Sequence, residues 1–157
     1  MKASFENTVN ILVKAYLNDT LKHEDCAACA VGNILGTNSW AILFVTPSCF
    51  EGVLPQIIAP ADYVIGVNGY GDRMLCAIKD YPEVLPKIEK ANSAIEQSGY
   101  SITELARIEN AFEAAPKGKD DDEWMFNGLM AVVDVLADIH QVDLSVKESA
   151  KLLFVKA

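Results

Sequence analysis

Residues 123–140, EWMFNGLMAVVDVLADIH, constrain this chain more than any other stretch. Trp124, Met125, Phe126, Leu129, Met130, Val132, Val133, Val135, Leu136 and Ile139 surround nearly the whole circumference of a helix. Only Asn127, Asp134 and Asp138 interrupt them, on one narrow line. A helix apolar on almost every side is buried among others. Its polar line must then meet solvent, a cleft or hydrogen-bond partners, because an unpaired buried carboxylate is costly. This segment predicts a mainly α bundle with the 123–140 helix at its centre.

The rest of the chain supplies the surrounding helices. Phe5, Val9, Leu12, Val13, Tyr16 and Leu17 recur at helical spacing, with Glu6, Asn10, Lys14 and Asn18 opposite. Asp25 offers a cap for a short helix from Cys26 to about Leu35. Ile88, Ala91, Asn92 and Ile95 trace one face of a further helix closed by Gly99. SITE (101–104) is a capping box, and Leu105, Ile108, Phe112 and Ala115 form the stripe behind it. The last aspartates of KGKDDD cap the helix at 123–140. SVKE (145–148) reads as a second capping box, opening a last helix with Leu152, Leu153 and Val155 as its apolar content. The expectation is a single domain over 1–157, with five or six helices.

Between them, residues 40–78 break the pattern. WAILFVT (40–46) is β-branched and aromatic and stops at Pro47, which favours a buried strand. YVIGV and RMLCAI flank NGYGD and can pair as a hairpin, with an irregular loop the alternative. A short β-hairpin or irregular insertion is therefore expected here, so that an α+β arrangement remains open.

Composition removes several classes of function. Hydrophobic residues make up 51% of the 157, enough for a substantial core. The formal charge is −9, spread over both halves, with none of the basic stripe that nucleic acid requires. No run of 18 apolar residues occurs, so no membrane span is expected. The N-terminus lacks a secretory apolar region, which makes the cytoplasm the expected compartment and makes Cys26, Cys29, Cys49 and Cys76 thiols or metal ligands before disulfides.

Three constellations could carry chemistry. His23, Cys26 and Cys29 stand three apart, at metal-clip spacing, but the second pair of a zinc knuckle is missing. Cys26 in the first turn of a helix would have its thiolate favoured by the helix dipole and opposed by Glu24 and Asp25. Asp134 and Asp138 with Glu109 and Glu113 make two i, i+4 acidic pairs on consecutive helices, an arrangement that bundles use for Mg²⁺. Solvated acids and a packed Cys29 are the plainer readings. GVNGYGDR (66–73) could offer backbone N–H groups, Tyr70 and Arg73 to a small anion, or be a tight turn.

LADIHQVDL (136–144) is similar to the end of the all-α nucleotide pyrophosphatases of the MazG type. The Mg²⁺-binding acids of that family would fall near Met125 and Gly128, where this chain has none. LVKAYLNDTLKHEDCAACAVGNIL, GYSITELARIENAFE and DDEWMFNGLMAVVDVLADIH resemble an uncharacterised family of small intracellular proteins from Bacteroidetes bacteria and their phages. That resemblance implies a bacterial or phage-infected cell and transfers no activity, ligand or catalytic residue.

The leading expectation is a non-enzymatic binding protein for a protein partner or a small molecule, of the kind a phage uses to interfere with a host pathway. A pocket needs aromatic walls and a few placed polar groups, which points to Cys26, Asn33, Trp124, Asn127 and Asp134. No catalytic residue and no cofactor are expected; a homo-oligomer remains open. The alternatives are a metal-binding or thiol-reactive protein using His23, Cys26 and Cys29, and a degenerate Mg²⁺-dependent pyrophosphatase-like enzyme.

Overall fold

The computed structural model describes residues 4–23, 28–36, 44–45, 56–57, 63–67, 73–77 and 85–156. Among these the fold is mainly helical, with helices α1 (Phe5–Leu17), α2 (Ala30–Leu35), α3 (Leu85–Ser98), α4 (Ile102–Glu113), α5 (Asp121–His140) and α6 (Leu144–Lys151). Strands β1 (Phe44–Val45) and β2 (Gln56–Ile57) pair antiparallel, as do β3 (Tyr63–Val67) and β4 (Arg73–Ala77). The β3–β4 register sets Ile65 opposite Leu75, so YVIGV and the start of RMLCAI form the hairpin. The expected strand at 40–46 is described only at Phe44 and Val45.

Local signals start and stop most of the helices. Ser4 Oγ accepts from Asn7 N at the start of α1. Ser101 and Glu104 close the capping box of α4 in both directions, at 3.0 and 2.9 Å. Gly99 ends α3 at φ +75° and Gly36 ends α2 at φ +70°, where a side chain would strain the backbone.

Helices α4 and α5 form the centre of the bundle. Leu105, Ile108 and Phe112 of α4 share the core with Leu129, Val132, Val133 and Leu136 of α5 and Val9 and Leu12 of α1. Gly128 lets α4 and α5 approach closely: a Cβ there would lie 2.9 Å from both the Phe112 carbonyl oxygen and its ring. A buried polar chain ties α1 to the far end of α5. Tyr100 Oη lies 2.7 Å from Thr8 Oγ1 and 2.6 Å from His140 Nε2. Burial raises the Tyr100 phenol above its ordinary value, the Thr8 bond opposes this, and the Glu104 charge adds to it.

Five expectations need correction. Helix α2 starts at Ala30 rather than Cys26, and its cap is Cys29, whose Sγ accepts from Gly32 N at 3.4 Å. Helix α5 starts at Asp121, capped by Asp120, the first of the three aspartates. The cap of α6 is Asp143, accepting from Val146 N at 3.0 Å, and Ser145 Oγ donates to that same carboxylate rather than capping. Leu152, Leu153 and Val155 are exposed; Ala150 and Phe154 anchor this end of the chain instead. Helix α5 is also less enclosed than its composition implies. Its buried face is Gly128, Leu129, Val132, Val133, Leu136 and Ala137, while Phe126 is exposed and Met125, Met130 and Val135 are half-buried.

Candidate functional site

The first turn of α5 meets the segment after α1 at a stack of rings. The His23 imidazole lies between Phe112, 4.1 Å away and 10° from parallel, and Trp124, 3.8 Å away and 4° from parallel. Lys117 Nζ sits over the Trp124 ring at 4.9 Å from its centroid. A ring sandwich of this kind excludes water from both faces of the imidazole and draws cations to the indole face.

The edges of His23 are held as well. Nδ1 lies 3.3 Å from Glu113 Oε2, and Nε2 lies 3.2 Å from the Trp124 carbonyl oxygen. A carboxylate and a carbonyl both accept, so both contacts are donations only when the ring carries two N–H groups. His23 thus joins the end of α4 to the start of α5 and fixes the indole.

Beside this stack is a cavity of about 340 Å³, lined by Leu21, Lys22, His23, Asp121, Trp124 and Met125. Its lining combines one indole and two apolar side chains with one ammonium, one imidazole and one carboxylate. The Trp124 Nε1–H is buried and has no hydrogen-bond acceptor among the described residues. A buried donor without a partner costs about 1–3 kcal/mol.

The sequence-predicted residues do not gather around this cavity. Trp124 lines it, and Cys26 lies outside the described residues. Asn33 is a bridge: its Nδ2 donates towards the carbonyls of Thr20, Ala28 and Cys29, at 3.0–3.2 Å, and its Oδ1 accepts from Thr20 Oγ1. Asn127 Nδ2 donates to the Pro116 carbonyl at 2.9 Å, closing the loop ahead of α5. Asp134 stands ten residues along α5 from Trp124, about 15 Å by helical rise. Its carboxylate pairs with Lys151 at 2.8 Å and Lys147 at 3.4 Å, both on α6.

The metal constellations separate too. His23 has both nitrogens occupied, and the Cys29 thiol is buried at the α2 cap. Burial pushes that thiol far up, with the nearby Glu109 charge next in effect. Of the four acids in the two i, i+4 pairs, Glu109 lies in the core near Cys29, Glu113 faces His23, Asp138 pairs with Arg107 and Asp134 with the α6 lysines. Among the described residues no three His, Cys, Asp or Glu side chains cluster to hold a metal ion. Residues 68–72 of the glycine-rich turn lie outside the described residues.

Leu21, Lys22, Phe112 and Lys117 build the site and were not singled out as site residues by the sequence, and Glu113 was read only as part of an acidic pair. Phe112 is legible only as a core position, and a stack between residues 23 and 124 has no local signature. No protein-family model matches the chain, and no curated protein or solved structure gives a significant match either.

Proposed function

We propose that the protein is a non-enzymatic binding protein that takes a small molecule in the cavity beside Trp124. The observation that carries this reading is a cavity of about 340 Å³ lined by Trp124, whose buried Nε1–H meets no acceptor among the described residues. Cavities that hold small ligands are mostly apolar, with few placed polar groups, and begin at about 300 Å³. The fitting ligand is a small flat molecule bearing a carbonyl or carboxylate oxygen. That oxygen accepts from the indole N–H once the Trp124 ring turns its edge towards the cavity, and Lys22 in the lining supplies a positive charge. In the bacterial or phage-infected cytoplasm that the sequence resemblance implies, such a protein withholds a metabolite from a host pathway.

The test uses Trp124 as its own reporter. Trp40→Phe leaves Trp124 as the sole tryptophan. Its emission is followed while fractions of a bacterial metabolite extract are added, and the active component is then titrated. Trp124→Phe keeps the ring and removes the donor, so the affinity, read by calorimetry, should fall about tenfold or more. Unchanged affinity in Trp124→Phe overturns this reading.

A further inference from the structure

Trp124 is held in an orientation that does not use its donor. Its indole has His23 on one face, 3.8 Å away and 4° from parallel, and Lys117 over the ring at 4.9 Å from the centroid. Its Nε1–H is buried and meets no acceptor among the described residues. A turn of the ring towards the cavity would let water or a ligand oxygen satisfy that donor, so the held orientation carries a cost that the turn relieves. The His23 ring opposes the turn. It packs against Phe112 on its other face, and only 6% of its side chain is exposed.

The strength of this hold depends on the charge of the imidazole. Nδ1 faces Glu113 Oε2 at 3.3 Å and Nε2 faces the Trp124 carbonyl oxygen at 3.2 Å. Both partners accept, so only the imidazolium donates at both edges. A neutral ring keeps a lone pair at one edge, where two acceptors then face each other. The imidazolium also attracts the indole face, and the neutral ring loses that attraction. One proton therefore decides both an edge contact and the stack.

Imidazole side chains ordinarily change charge between about pH 5 and 8. Carboxylates and ammoniums ordinarily do so outside that range. Among the described residues the charged groups about His23 are Glu113 on α4, Asp121 on α5, Lys22 beside it in the chain and Lys117 over the indole. Cys29, which feels both Glu109 and Glu113, stays a thiol because burial pushes it far up. The chain's other histidine, His140, lies sixteen residues along α5 from Trp124, about 24 Å by helical rise. We infer that His23 is a pH-sensitive latch on Trp124. The imidazolium holds the indole flat with its N–H buried, and loss of one proton to solvent frees the ring to turn its edge into the cavity. The latch itself needs no ligand. Its consequence rests on the cavity being a ligand site: the indole N–H becomes available to a ligand oxygen as pH rises.

The experiment takes the full chain with Trp40→Phe, adds no ligand, and reads acrylamide quenching of Trp124 emission from about pH 5 to about 8. Acrylamide is uncharged, so its approach does not depend on the charges around the ring. The quenching constant should rise severalfold in one step as pH increases, with unchanged circular dichroism. His23→Phe keeps the stack and cannot titrate, so quenching should stay low with no step. In Glu113→Gln the amide can turn to donate to a bare Nδ1, so a neutral ring is still held at both edges. Quenching in that variant should remain low at the alkaline end. Flat quenching in the parent, a step that persists in His23→Phe, or a step that Glu113→Gln leaves unchanged overturns the latch. If His23→Phe fails to fold, the Glu113→Gln comparison decides by itself. The ligand reading fails on a different result, unchanged affinity in Trp124→Phe, and that result leaves the quenching step as it is.

Discussion

The His23 ring lies flat on the Trp124 ring, 3.8 Å between centroids and 4° from parallel, although 101 residues separate them in the chain. This contact, with Phe112 on the other face, joins the segment after α1 to both central helices. Each aromatic pair contributes about 0.5–1.5 kcal/mol beyond the area it buries. His23→Ala should therefore destabilise by about 1–3 kcal/mol in urea melts, and His23→Phe, which keeps the stack and loses the edge contacts, by less. Equal losses in the two variants would assign the stability to the hydrogen bonds instead of the stack.

Gly128 tests the same junction from below. An alanine methyl there meets the Phe112 carbonyl oxygen at 2.9 Å and His23 Cε1 at 3.1 Å. The carbonyl belongs to the α4 backbone and cannot turn aside. Gly128→Ala should cost about 1–3 kcal/mol despite the better helix propensity of alanine. A stabilised variant would show that α4 and α5 separate easily at this point.

Leu136 and Asp120 separate core from cap. Leu136 is fully buried in mid-α5, and its truncation to alanine should cost about 2–5 kcal/mol from transfer energy plus cavity. Asp120 Oδ1 accepts from Glu123 N at 2.9 Å. Asp120→Ala should cost about 1 kcal/mol, as loss of a helix cap does. Chemical denaturation of both variants gives the comparison, and equal losses would remove α5 from the centre of the fold.

Cys29 should resist thiol reagents in the native protein. Burial first, and the Glu109 charge second, push its thiol far above the ordinary value, so no useful thiolate fraction exists near neutral pH. Alkylation with iodoacetamide followed by peptide mapping should find Cys29 unmodified until denaturant is added. Rapid native labelling would contradict the packed α2 cap.

Asp134 gives a small acid-dependent contribution. Burial alone would raise its carboxyl, but the bonds and charges of Lys151 and Lys147 outweigh that and hold it below its ordinary value. Its contribution is therefore fully present above the unfolded value near pH 4 and is lost as pH falls through the folded value. The carboxylate is 48% exposed, so solvent and salt screen the pairs. Asp134→Asn should cost at most about 1 kcal/mol at pH 7, with the difference from the parent vanishing at low pH. A gap that persists under acid would point to packing instead.

The sequence by itself determined what depends on near neighbours. Ser101 and Glu104 complete their capping box within four residues, and Leu105, Ile108, Phe112 and Ala115 are all buried as their spacing requires. The β3–β4 hairpin follows from two short apolar runs around NGYGD. Sequence pattern also identified α5 as central, because no other segment has so many apolar positions. Where several residues compete for one local role, the pattern misleads: Asp143 precedes the Ser145 capping-box candidate, and Cys29 caps α2 in place of Asp25.

Only the tertiary structure decided which distant side chains meet. Asn33 looks like a ligand-facing amide in its own helix, yet it serves the carbonyls of Thr20, Ala28 and Cys29 once the chain folds back. Asp134 and Asp138 share a line with Asn127, but the lysines of α6 and Arg107 of α4 claim them. Leu152 and Leu153, the apolar content the sequence gives the last helix, stand in solvent, because Phe154 takes the inward position beside Tyr16. Helix period and capping are fixed by bonds a few residues long. The sandwich of His23 and the cavity beside it depend on the direction in which the chain leaves each helix, and that direction is set by packing across the whole bundle.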